Sequence, residues 1–163
     1  MNKNIIALLF ICMGINQVKS QDSESIVLGT KHLFQSKVFN EDREYWVSLP
    51  DSYNDDQSSH KRYPVLMVLD GNIHFKSIAG VVNYLSSDAY RSWKIPEMIV
   101  VGVKNVDRRR DYTPDKVITV RENNTGGGEK FLSFLEDELI PELDSHYRTE
   151  PYRILFGHSL SAL

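Results

Sequence analysis

The pentapeptide Gly157-His158-Ser159-Leu160-Ser161 directly follows a short apolar run, Tyr152 to Phe156. A serine held between small residues on a sharp strand-to-helix turn has its hydroxyl lifted clear of the backbone. That is the nucleophile-elbow arrangement, G-x-S-x-G, with Ser161 in place of the second glycine. The small neighbours are a chemical requirement, because a Cβ pointing at the adjoining strand or helix would clash. The same residues also fit a plain strand-to-helix turn with Ser159 as its N-cap. A second junction, Asp70-Gly71-Asn72, closes another apolar run and is ordinary turn chemistry.

The other chemistry-bearing groups read more simply. The five histidines, at 32, 60, 74, 146 and 158, all precede Ser159, and no acid or histidine follows it in the 163 residues. His158 is expected to point into the packed side of the turn. His146 is expected to cap a helix or face solvent, and His74 to lie on the surface or line the mouth of a site. Arg108-Arg109-Arg110 stands between Asp107 and Asp111, so local ion pairing is expected rather than phosphate binding. Gly126-Gly127-Gly128 lacks the Lys-Ser/Thr ending of a phosphate loop and reads as a flexible lead into a helix. Acids 136 to 138 read as a solvated helix face. No His, Cys or acidic cluster has metal-ligand spacing, and no cofactor is implied.

These groups must be positioned by a recognisable alternation of elements. Ile26–Phe39 and Arg43–Leu49 are strand-like and joined by Asn40-Glu41-Asp42, which predicts a hairpin. Asp51–Lys61 is polar and predicts a surface loop. Tyr63–Leu69 and Met98–Val103 are continuous apolar runs, as in strands buried on both faces. Between them, apolar residues at 75, 78, 81, 82 and 85 have helical spacing. Lys104–Gly128 reads as a long irregular connection. From Glu129 a helix is predicted by Leu132, Leu135, Leu139, Leu143 and Tyr147, with a kink at Pro141. Tyr152–Phe156 is a last short strand. The fold class is therefore α/β, with a mostly parallel central sheet entered through an antiparallel hairpin.

Composition narrows the function. Apolar residues make up 41% and charged residues 25%, and 19 Lys plus Arg against 22 Asp plus Glu leave a net charge of −3. That balance carries no footprint for nucleic acid, and a single Cys excludes a disulfide scaffold. Residues 1–20 hold Lys3, Lys19 and no acid around an 11-residue apolar run, Ile5–Ile15. Val18 and Ser20 then occupy the small-residue positions before Gln21, which is the layout of a secretory signal. The run is too short to span a membrane. Lipidation at Cys12 is the alternative, against which bulky Phe10 and Ile11 stand. Residues 21–163 form the exported product, free of Cys and with no stable membrane insertion.

Four stretches carry a family resemblance: YPVLMVLDGN (Tyr63–Asn72), RRRDYTP (Arg108–Pro114), GGGEKFLSFLEDELIPELDSHYRTEP (Gly126–Pro151) and YRILFGHSLSAL (Tyr152–Leu163). In this order and spacing the chain resembles the esterase family of α/β hydrolases, which contains siderophore esterases, S-formylglutathione hydrolase, feruloyl esterases and mycolyltransferases. The resemblance implies an α/β-hydrolase fold ending just after the nucleophile elbow. It implies Ser159 as nucleophile, with the backbone N–H groups of Asn72 and Leu160 forming the oxyanion hole. Ser161 and Ala162 depart from the two glycines usual there. The family order is nucleophile, acid, then His, so base and acid are expected downstream of Leu163. The implied activity is that of an exported serine ester hydrolase on a small-molecule or carbohydrate-linked ester. An acyltransferase of the same fold and a non-catalytic remnant stay open at this point.

Overall fold

The computed structural model describes residues 23–87, 94–116 and 124–163. The expected export segment 1–20 and its expected cleavage point before Gln21 lie outside them. Strands β1 (Thr30–Ser36), β2 (Glu41–Ser48), β3 (Tyr63–Leu69), β4 (Ile99–Val103) and β5 (Thr149–Phe156) form one sheet in the order β1-β2-β4-β3-β5. β1 and β2 are an antiparallel hairpin, and β2 meets β4 antiparallel. β3 runs parallel to both β4 and β5. This is the mixed sheet of an α/β-hydrolase fold, parallel in its core and entered through a hairpin.

The alternation of side chains along β3 and β4 divides the core in two. Val65, Met67, Leu69, Ile99, Val101 and Val103 face Phe131, Phe134, Leu135, Leu139 and Leu143. Leu66, Val68 and Val100 face Phe75, Ala79 and Val82 of helix α1 (Gly71–Ser86). Being covered on both faces is why these strands are uninterrupted apolar runs. In β2, Tyr45 and Val47 turn to the first core and Trp46 packs on Phe75 of the second, at 5.6 Å between ring centroids.

Several local expectations are revised. The hairpin turn falls on residues 37–40, ahead of the predicted one, because Asn40 adopts the left-handed conformation (φ 53°) that reverses the chain. β1 is correspondingly shorter than Ile26–Phe39. The connection after β4 contains a helix, α2 (Arg108–Tyr112), whose N-terminus is capped by the Asp107 carboxylate accepting from the N–H groups of Arg109 and Arg110. The helix from Gly128 is α3 (Gly128–Phe134), a wider π-type turn at Leu135–Leu139, and α4 (Ile140–His146). Pro141 has no N–H to donate, and the widened turn stands where its hydrogen bond would have closed. β5 begins three residues earlier than predicted, and the pairing shifts register between Tyr63 and Val65. Pro151 lies on that irregular part of the strand, where a missing donor is tolerated.

Glu138 is not merely solvated. It accepts from the Ser36 hydroxyl at 2.5 Å and from the N–H groups of Lys37 and Val38, tying the hairpin to the helix. The triple glycine is not a loose lead either. Gly127 donates to Arg110 C=O at 2.8 Å and Gly128 to Thr113 C=O at 3.0 Å, which seats α3 against α2. Among the described residues no helix is long and apolar enough to cross a membrane.

Candidate functional site

Because β3 and β5 are parallel neighbours, their C-terminal ends lie side by side, Val68 opposite Phe156. The turn after β3 (Asp70-Gly71-Asn72) and the turn after β5 (Gly157-His158-Ser159) therefore meet at one edge. Sheet order thus brings together the two junctions singled out in the sequence.

The β5 turn is tight. A Cβ on Gly157 would sit 2.1 Å from the Ser161 carbonyl oxygen, so only glycine lets the chain fold back this closely. Ser159 has φ 57°, a left-handed conformation that costs an L-residue about 1–2 kcal/mol. Its side chain is exposed, and the short helical turn Ser159–Ala162 begins there. Ser161 explains its own departure from glycine. It is buried, and its hydroxyl accepts from the His158 N–H at 2.9 Å and donates to the His158 C=O at 3.0 Å, closing the turn on itself. Ser159 is accordingly not a helix N-cap in the sense of the plain reading; His158 holds that place.

The β3 turn is built with equal constraint. Gly71 packs on the backbone of β4, where a Cβ would meet the Gly102 carbonyl carbon at 2.6 Å. Asp70 is left-handed as well (φ 53°, ψ 43°) and fully buried. Its C=O accepts from the N–H groups of Ile73 and His74. Asn72 is exposed on the first turn of α1, where backbone N–H groups have no partner within the helix. Among the described residues neither the Asn72 N–H nor the Leu160 N–H donates a hydrogen bond.

The Asp70 carboxylate is the hub that sequence reasoning missed. Arg108 Nε and Nη2 grip its two oxygens at 2.8 and 2.9 Å, and Asn105 Nδ2 donates at 2.7 Å. Burial pushes the Asp70 carboxyl up, but hydrogen bonds from Arg108 and Asn105, the nearby Ser161 hydroxyl and the Arg108 charge outweigh it and hold it below the ordinary carboxylate range. The triple arginine is thus only partly paired locally. Arg110 bonds neighbouring Asp111 and also Glu41, while Arg108 reaches Asp70, 38 residues away. Buried Arg43 in turn pairs with buried Asp111 at 2.8 Å.

The histidines fall as follows. His158 is exposed, not packed inward, because the turn places it against His74, ring centroids 5.3 Å apart. His74 lies at the edge of the site, with its ring also against Phe156. His146 closes the last turn of α4, its Nδ1 against the Glu142 carbonyl. No histidine of the described residues hydrogen-bonds Ser159, and no group of three metal-ligating side chains is found among them.

Comparison with known proteins places these features in company. The profile of the Esterase family matches residues 36–163. Ferri-bacillibactin esterase BesA of Bacillus subtilis (strain 168) is 30% identical over 116 residues, which are 62% of this chain and 40% of BesA. An IroE-like serine hydrolase from Shewanella oneidensis superposes with a TM-score of 0.73 at 35% identity, over 81% of this chain and 43% of that one. The BES protein from Bacillus cereus superposes at 0.70 with 28% identity, over 86% and 56%. The chain spans 40% and 48% of the two curated relatives it matches.

Proposed function

The chain belongs to the Esterase family, and from that premise we propose that it is part of an exported serine ester hydrolase with Ser159 as the nucleophile. The observation that carries the reading is the strained, exposed Ser159 (φ 57°) at the C-terminal end of β5, beside the β3 turn. Ser159 Oγ attacks the ester carbonyl carbon while its proton passes to a histidine base. The tetrahedral oxyanion sits on the Asn72 and Leu160 N–H groups, and its collapse expels the alcohol, which takes up the proton. Water then adds to the acyl-enzyme and releases the acid. One such oxyanion donor is worth about 3–4 kcal/mol. The base and its orienting acid are assigned to sequence beyond Leu163.

The substrate is a small-molecule ester, and the match to BesA favours a siderophore ester over a carbohydrate-linked one. Residues 1–20 are the export signal, removed before Gln21.

The test uses the full-length protein. It should hydrolyse a p-nitrophenyl acyl ester and take up a fluorophosphonate probe at Ser159. Ser159→Ala should abolish both while the protein stays folded and exported. Retained turnover in Ser159→Ala, or labelling of another serine, would overturn the assignment.

A further inference from the structure

One guanidinium touches both halves of the candidate site. Arg108 lies on α2, outside both turns, with its side chain at the rim and 35% exposed. Its Nε and Nη2 hold Asp70 in a two-point grip, and the same Nη2 donates to the His158 C=O at 3.3 Å. His158 immediately precedes the nucleophile, and Asp70 lies two residues before Asn72.

Asp70 is immobilised at every polar group. Its N–H donates to the Tyr112 hydroxyl at 3.3 Å, its C=O caps α1, and its carboxylate is shared by Arg108 and Asn105. Asn105 Nδ2 also reaches Asn72 Oδ1 at 3.4 Å. A left-handed aspartate persists only when its surroundings over-determine it. Here the surroundings are side chains that approach from the β4–α2 segment. Displacing the Asp70 carboxylate would release the peptide that carries the Asn72 N–H.

We propose that Arg108 is a positioning residue for the Ser159 reaction: by gripping the Asp70 carboxylate and the His158 carbonyl together, it sets the spacing between the Asn72 N–H and the Ser159–Leu160 turn. The inference rests on the reading of Ser159 as nucleophile. Its chemistry asks for arginine in particular. The planar fork supplies two parallel bonds to a carboxylate and a further donor edge, whereas a lysine ammonium is a single point charge on a flexible stem. The Asp70–Arg108 pair is neutral overall, so the effect is one of geometry, and an error of about 1 Å in such a site costs about 100-fold in rate.

The experiment compares Arg108→Lys, Arg108→Gln and Arg109→Gln in the full-length protein. Arg109 lies on the same helix and is exposed. Four readouts are taken: the melting temperature, kcat and KM on a p-nitrophenyl ester, the inhibition constant of an arylboronic acid that forms a tetrahedral adduct on serine, and the site of fluorophosphonate labelling. Both Arg108 variants should lose about 10- to 100-fold in kcat with KM within about twofold. Boronate affinity should weaken by the same factor, and labelling should stay on Ser159. Arg109→Gln should match the unsubstituted protein in kcat, KM and the boronate constant. A purely structural arginine would lower the melting temperature and leave kcat and the boronate constant alone, which would overturn the proposal. Failure of Arg108→Lys to fold would overturn it equally, by assigning the residue to stability. If the unsubstituted protein is not labelled at Ser159, the underlying reading falls; if it is labelled there and the Arg108 variants equal it, only this inference does.

Discussion

Replacing Ser159 by glycine is expected to stabilise the protein while removing the proposed nucleophile. Ser159 holds φ 57°, and an L-residue in that region is strained by about 1–2 kcal/mol. Glycine adopts the conformation freely but loses more freedom on folding, about 0.5–1 kcal/mol. The Ser159 side chain is exposed and has no hydrogen-bond partner among the described residues, so its loss removes little else. The balance is a gain of about 0.5–1 kcal/mol for Ser159→Gly. Ser159→Ala keeps the Cβ and therefore the strain, and should leave stability nearly unchanged. In a domain of this size or somewhat larger the difference corresponds to about 1–4 °C in melting temperature. Calorimetry of the two variants side by side measures it, because both lack the hydroxyl and differ only in the Cβ. A Ser159→Gly protein that melts at or below Ser159→Ala would show that the turn stores no backbone strain. The position would then not be one held under strain for the sake of an exposed hydroxyl.

Gly157→Ala should displace the turn by about 1 Å to clear the Ser161 carbonyl, slowing fluorophosphonate labelling about 100-fold and costing about 1–3 kcal/mol in a denaturant melt. Asp70→Asn should destabilise by about 1–3 kcal/mol at pH 7, the worth of charged hydrogen bonds to a partly exposed arginine. Since the Asp70 carboxyl in the folded protein lies below its ordinary 3.8, that contribution is complete above pH 3.8 and disappears as pH falls through the lowered value. Urea melts of both proteins from pH 7 to pH 3 should therefore converge only at the acid end, and a gap that closes near pH 6 would refute the account. N-terminal sequencing of the exported protein should begin at Gln21 or within a few residues, and an intact Met1 in the soluble exported fraction would contradict it.

The parts of this protein legible in its sequence are those governed by neighbours along the chain. Tyr63–Leu69 is a strand at the limits its apolar run marks, and α1 follows the helical spacing from residue 75 to 85. The Gly-x-Ser pattern after an apolar strand marks the tight turn, because glycine at 157 answers a clash within the same few residues. Helix α2 left no periodic signal, since five residues are too few; its Asp107 cap and its ion pairs hold it. The outward His158 and the Glu138 clasp on the hairpin were hidden for a related reason, as each depends on a group that another segment delivers. The Arg108–Asp70 grip spans 38 residues and the Arg43–Asp111 pair 68. Side chains so far apart in sequence meet only because β3 is inserted between β4 and β5, which sets the turn after β3 beside both α2 and the Ser159 turn. Local propensity and periodicity carry no information about that order, so the pairing of the two turns into one candidate site was decided by the sheet.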